Sequence, residues 1–497
     1  MMKKAPKILF ALLIATLLTG LTGCQTAEPN TSELTILTPS KTAQNTTAKA
    51  PTPSPAMPTC TAAPENEPTQ ETASPRHYQL DASLNFLEHS LTVSETIDYT
   101  NNTGVSLDSL PLVIPPADVP DAFSLISLQI SPEQADASSA FDGERLWISF
   151  ATPLPPDGQL SISLLFQLQV PKGESPFGYT DRQLLLADWY AFIPPYLPET
   201  GWLINPPGEV GEYLAYPLAD FSVNLRLSPS LEGVIVAASA PLAAQDGNCR
   251  RYAVQSVRNF TLAASPEYQM FASQRGDVTI VSYTFPEHAG LTARAANIAQ
   301  SAWALYSQIY TENPRQYMSV VEAEIPDGLE CDGLFFLSDG YYAKADDTPQ
   351  NYFELLVAHE AAHQWFYGSV PNDPAHEPWL DESLATYSEL LYLETYAPDL
   401  VNWWWEYRVQ SFAPTGKVNG TIYDYGKVRP YINATYLRGV SFLQAVRDRI
   451  GDKAFFDFLH SYASLEEDHF QTADDFFDLL ASCTEQDLSG LIAQYFY

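Results

Sequence analysis

Residues 359–363 read His-Glu-Ala-Ala-His. On a helix, residues four apart share one face, so both imidazoles can reach a single ion. Glu360 lies about 100° round from His359, close enough to act on a water at that ion without ligating it. A catalytic zinc takes three protein ligands and leaves a fourth position open, so a third donor is needed from another helix. Glu382, within Trp379-Leu380-Asp381-Glu382-Ser383, follows His363 after eighteen intervening residues. These residues predict one zinc per chain on His359, His363 and Glu382, with Glu360 as general base for metal-assisted hydrolysis. With eight histidines in the chain, the five-residue pattern arises by chance at roughly 0.01 per chain, and the later Glu makes coincidence rarer still. Glu389 lies seven residues after Glu382 on the same helical face, where it is expected to orient a ligand histidine through its other ring nitrogen. His376, between the two halves, is expected in a loop and not on the metal.

The elements that must position these groups follow from periodicity. Phe353-Glu354-Leu355-Leu356-Val357-Ala358 is a helix-forming run, which predicts a helix over 350–367 and a second over 381–396. Further helices are expected at 289–310, 436–450 and 453–463, with a short strand pair around 317–325 and 333–337. Before them the pattern changes to period two, as in Leu91-Thr92-Val93-Ser94-Glu95-Thr96-Ile97 and Phe221-Ser222-Val223-Asn224-Leu225. Many such runs broken by Asn, Gly and Pro predict antiparallel strands in a β-sandwich or open saddle. The stretch 189–207, rich in Pro and aromatics, is expected as a packed loop, and Trp403-Trp404-Trp405 as core. The expected class is a multidomain α+β protein: a β-rich domain over 77–272, then a mainly helical domain over 273–497.

A chain of 497 residues is too long for one ordinary domain. Its formal charge of −35 argues against nucleic-acid binding, which needs clustered Lys and Arg. Lys3, Lys4 and Lys7 precede an apolar run over 8–18 and then Leu21-Thr22-Gly23-Cys24. The run is shorter than the ~20 residues that span a bilayer, and the layout is that of a secretory signal over 1–23. The Leu-Thr-Gly-Cys end resembles the lipobox of bacterial lipoproteins, which implies a lipid on Cys24 and a place on the extracytoplasmic face of the bacterial membrane. Residues 24–76, rich in Thr, Pro and Ser, are expected to form a disordered tether. Cys60, Cys249, Cys331 and Cys483 allow three full pairings and contain no C-x-x-C pair, so mostly free or buried thiols are expected.

The zinc pattern followed after eighteen residues by Glu in a Trp-Leu-x-Glu context resembles the aminopeptidase N family of gluzincin zinc peptidases, here in a short lipoprotein form. The resemblance covers about 77–497 and is strong between about 325 and 440. It implies an N-terminal saddle domain, marked weakly by the Tyr99-Thr100-Asn101-Asn102-Thr103 turn, and a thermolysin-like catalytic domain. Tyr436-Leu437-Arg438-Gly439 matches the family's Tyr-x-Lys-Gly with Arg for Lys, which implies Tyr436 as the donor to the oxyanion. Asp327-Gly328-Leu329-Glu330-Cys331 is the best match to Gly-Ala-Met-Glu-Asn, with the first Gly, the Met and the Asn replaced. It implies Glu330 as the partner of a substrate's α-amino group. The implied substrate is a peptide or protein. Removal of single N-terminal residues, release of dipeptides and internal cleavage all remain open, as does a zinc-containing lipoprotein that only binds peptides. The helical C-terminal domain of many family members is not expected here.

Overall fold

The structure, a computed structural model, describes residues 74–132, 137–227 and 233–497. Cys24, the signal segment and the expected tether up to residue 73 lie outside the described residues. No helix among the described residues is long and apolar enough to cross a membrane.

Strict alternation builds the first domain. Ser90–Thr100 buries every second side chain over most of its length, as one face of a sheet packed on a core requires. Seven strands form the main sheet, in the order Leu242–Asp246, Cys249–Val257, Ala219–Leu227, Arg76–Asn85, Ser90–Thr100, Gln159–Gln169, Phe123–Ser131. The sheet is not wholly antiparallel as expected, because Arg76–Asn85 runs parallel to Ala219–Leu227, with His77 opposite Asp220. The chain leaves the first strand and returns to its side after passing through other sheets, and so long an excursion lets it re-enter in the same direction. The three-stranded sheet of Leu107–Val113, Arg145–Leu154 and Ser138–Asp142 shares one apolar core with the seven strands. Trp189, on the expected packed loop, is fully buried there and donates its indole N–H to the Phe260 carbonyl at 3.0 Å.

A five-stranded sheet opens the second domain, in the order Gln269–Arg275, Val278–Thr284, Tyr317–Ala323, Leu334–Ser338, Gly328–Cys331. The expected pair is present and parallel, with Ser319 opposite Leu334, but it is the middle of a larger sheet. The first of these strands begins before the expected boundary between residues 272 and 273. Gly328–Cys331 is the edge strand, antiparallel to its neighbour. The helix Thr292–Ile309 packs on the motif helix Tyr352–Ala362, which packs in turn on Trp379–Tyr396.

The motif helix ends at Ala362, short of the predicted 367. Trp365 and Phe366 keep the apolar pattern because they are buried. The backbone nevertheless leaves the helix, and Tyr367 takes φ 115°. Burial periodicity cannot distinguish these two outcomes.

Two buried arginines join the domains at this turn. Arg258 of the first domain donates Nε to the Gly368 carbonyl at 3.0 Å and its backbone N–H to Asp332 at 2.9 Å. Arg315 of the second donates Nη2 to the same carbonyl at 3.1 Å and pairs with Asp332 at 2.7 Å. Cys331, which is buried, and Cys483 are free, in line with the expectation of mostly free or buried thiols, whereas Cys249 departs from it in being disulfide-bonded. Removing a buried guanidinium leaves its acceptors unsatisfied. Arg258→Ala should therefore lower the midpoint of thermal unfolding by about 5 °C or more. A calorimetric scan with an unchanged midpoint would contradict this role.

Candidate metal centre

The motif helix starts where the Asn351 side chain accepts the Glu354 N–H at 3.0 Å, an N-cap that fixes its first turn. Every residue from Phe353 to Ala362 is buried. His359 and Glu360 therefore sit inside the domain, not on a solvated face. The helix Trp379–Tyr396 crosses beside it and brings Glu382 to the histidines.

Three atoms then form a triangle. Nε2 of His359 and Nε2 of His363 are 3.2 Å apart, and Oε2 of Glu382 lies 3.4 Å from the first and 3.6 Å from the second. Tetrahedral coordination at about 2.0–2.1 Å would set neighbouring donors about 3.3–3.4 Å apart, so the triangle has the size that a zinc ion needs. Oε2 of Glu382 is buried and has no hydrogen-bond partner among the described residues. An orphaned carboxylate oxygen facing two ring nitrogens is costly unless a cation compensates it. The outer ring nitrogens support the same reading. Nδ1 of His363 faces the Phe366 carbonyl at 3.0 Å and Nδ1 of His359 faces Oε1 of Glu389 at 3.1 Å. Each acceptor favours the Nδ1–H tautomer, which leaves both Nε2 lone pairs directed inward. The early end of the helix thus has a chemical consequence, because the turn carries the Phe366 carbonyl back to His363.

Glu389 is itself held. Arg408 donates Nε and Nη2 to its two oxygens at 3.0 and 2.9 Å, and the Trp404 indole donates at 3.0 Å. Both members of this ion pair are fully buried. Burial raises the Glu389 carboxyl, but Arg408 and His359 outweigh it and hold the group at about 2. Burial opposes charge on His359, yet Glu382 and Glu389 outweigh it and raise its pKa to about 10. The field that would hold a proton there equally favours a metal ion.

Glu360 is buried, and its Oε2 has no partner among the described residues. Burial pushes its carboxyl well above the ordinary range, against the pull of His359, and Glu330 and Glu382 push the same way. A nearby divalent cation would act in the opposite direction. The edge strand approaches so closely that a Cβ on Gly328 would lie 2.0 Å from Oε1 of Glu360. Glycine at this place lets the Glu360 carboxylate lie against the edge strand. Tyr436 lies in a π-helical turn, Asn433–Arg438. Its ring stacks over His359 at 6.1 Å, with the planes 5° apart. Its hydroxyl donates to Oε1 of Glu382. Gly439 allows this approach, because a Cβ there would meet Oγ of Ser383 at 1.8 Å.

Glu330, on the edge strand, reaches the same pocket, which Glu212 also lines. Glu212 comes from an irregular segment of the first domain, and its carboxyl lies beside that of Glu330. Burial, then the Glu330 charge, raises Glu212 well above the usual range, as expected of two carboxyls sharing one site. Neither Glu212 nor Arg408 was anticipated from the sequence. Glu212 stands in a Pro/Gly-rich stretch without periodicity, and Arg408 is separated from Glu389 by a helix end. The one available signal was that a charged residue beside Trp403-Trp404-Trp405, three residues expected as core, must be paired if buried. Trp404 of that run is fully buried, whereas Trp403 and Trp405, also expected as core, are only partly buried. His376 stays outside the centre, half-exposed beside Asp373. Gly328→Ala should displace the Glu360 carboxylate while leaving the fold intact. A crystal structure of the variant with Glu360 unmoved would refute the close approach.

Comparison with known proteins places this geometry. Residues 328–495 match the peptidase family M1 domain. Aminopeptidase N of Streptomyces lividans is 28% identical over 149 residues, which is 27% of this chain and 17% of that protein. Aminopeptidase N of Lactobacillus helveticus is 27% identical over 221 residues, 40% of this chain and 26% of that protein. The matched segment thus spans about a quarter or less of these relatives' length. A variant of the M1 zinc metallopeptidase from Deinococcus radiodurans shares the fold with TM-score 0.61 at 18% identity, covering 86% of this chain and 95% of its own. Residues 328–495 thus match a peptidase family M1 domain, and that segment, which follows a β-rich domain, carries the His359, His363 and Glu382 donor set whose geometry fits zinc.

Proposed function

We propose that the protein is an extracytoplasmic zinc aminopeptidase that removes residues from the free N-terminus of peptides. The observation that carries the exopeptidase reading is the Glu212–Glu330 pair, a part-buried and a buried carboxyl that line the metal pocket, in which no Lys or Arg stands among the described residues. A substrate ammonium offers the missing charge and several N–H donors.

His359, His363 and Glu382 would hold the zinc, which when bound supplies Lewis acidity to water and to the scissile carbonyl. Glu360 accepts a proton from the attacking water and returns it to the leaving amine; its free Oε2 and raised basicity suit both steps. Tyr436 keeps its proton, because burial and then Glu382 push its pKa well above the usual range. It can therefore turn its hydroxyl from Glu382 to the developing oxyanion, a group it favours more in the transition state than in the ground state. Glu330 and Glu212 position the α-amine, and Glu389, backed by Arg408, keeps His359 in its ligating tautomer.

The cellular site rests on the sequence before residue 74, with a lipid on Cys24 and a tether up to the first strand. A disulfide at Cys249 supports an oxidising compartment. Cys24→Ala should release the protein from the membrane fraction of cells, and unchanged retention would remove the anchor from this proposal.

Three further outcomes test the chemistry. Glu360→Gln should keep stoichiometric zinc but lose at least about 10²-fold in kcat, and near-normal turnover would remove Glu360 as the base. Glu389→Ala should weaken zinc binding about 10–100-fold in a chelator competition, and unaltered affinity would leave Glu389 with a merely structural role. Peptides with a free amine should be cleaved and their N-acetylated forms spared, whereas equal cleavage of both would favour an endopeptidase.

A further inference from the structure

A cavity of about 770 Å³ adjoins the metal pocket. That volume lies within the range of small-molecule sites and far exceeds what an α-amine needs. Glu212 and Glu330 line both spaces, so they stand at the junction. With the ammonium on this pair and the scissile carbonyl at the metal, the α-carbon of the first residue sits at the junction. Its side chain then has the cavity open to it.

The cavity walls are one-sided in charge. Five lining residues are acidic, Asp118, Asp188, Glu209, Glu212 and Glu330, and none is Lys, Arg or His. Glu330 is only 8% exposed and lines this space beside Glu212, another acid. Asp188 lines the cavity but not the metal pocket. The Tyr216 hydroxyl donates to one of its oxygens, and the charge acting on it is again an acid, Glu330. Glu330 is buried and Asp188 and Glu212 are partly so; carboxylates withdrawn from water without a counter-ion are costly, and a ligand that brings the cation relieves that cost. The rest of the wall is aromatic and apolar, including Tyr213, Tyr367 and Leu329. Such a surface suits a long apolar stem that ends in a positive head.

We infer that this cavity selects peptides whose N-terminal residue carries a cationic side chain, Arg or Lys, with Asp188 as a specificity-determining residue. The inference rests on the aminopeptidase reading and gives it a substrate class. A neutral side chain would leave the acids uncompensated, and an acidic one would add to their repulsion.

The test uses the zinc-loaded full chain and fluorogenic aminoacyl amides of Arg, Lys, Leu, Phe and Glu. The expected result is a kcat/KM for Arg and Lys that exceeds that for Leu by about tenfold or more, with Glu cleaved least. Asp188→Asn should reduce the Arg-to-Leu ratio about tenfold, and Asp118→Asn should reduce it by less. The ratio is read within one preparation, so a partly folded variant does not obscure it. Leu or Phe turned over as well as Arg, or a ratio unmoved in both variants, would overturn the assignment of the cavity. If no aminoacyl amide is cleaved but N-acetylated peptides are, the aminopeptidase reading itself fails and the inference falls with it.

Discussion

Two imidazole nitrogens held 3.2 Å apart, with a carboxylate oxygen 3.4 and 3.6 Å away, are the constraint on which the rest depends. Neutral imidazoles so disposed present lone pairs to each other, and only a cation makes that arrangement favourable. The surroundings enforce it. A backbone carbonyl holds one ring, and a buried carboxylate holds the other. The carboxylate is fixed by Arg408 and Trp404. Further acids, Glu360, Glu330 and Glu212, then crowd around the proposed ligands, and burial with mutual repulsion raises Glu360 and Glu212. Negative charge of this density inside a protein is tolerable when ions or substrates bring the balancing charge.

The arrangement depends on the seam between the domains as much as on either domain. Arg258 and Arg315 meet on the Gly368 carbonyl, within the turn whose Phe366 carbonyl holds His363. Two cations on one acceptor would repel if Asp332 did not lie beside them, with a 2.7 Å contact to Arg315. The first domain also supplies Glu212 to the site. The β-rich domain therefore lines the substrate side of the centre and forms part of the acidic cavity. The strained backbone of Tyr367 lines that cavity, at the point where helix, turn and domain seam meet.

The sequence by itself determined the parts whose information is local. A 3.6-residue period placed His359, Glu360 and His363 on one helix, and the distance to Glu382 named a second helix. Alternation at period two marked the β-rich half, because that is the period of a half-buried strand. Tyr436 and Glu330 were reached through a resemblance and not through any local pattern. Tertiary structure alone decided the rest. It set the one parallel pairing in the main sheet, the end of the motif helix at Ala362, the Arg408 clamp on Glu389 and the arrival of Glu212 beside Glu330. Each of these joins residues that are distant in sequence or lie in irregular segments, where neither periodicity nor composition records a partner. Their positions follow from how two cores pack against one seam, a property of the folded chain as a whole.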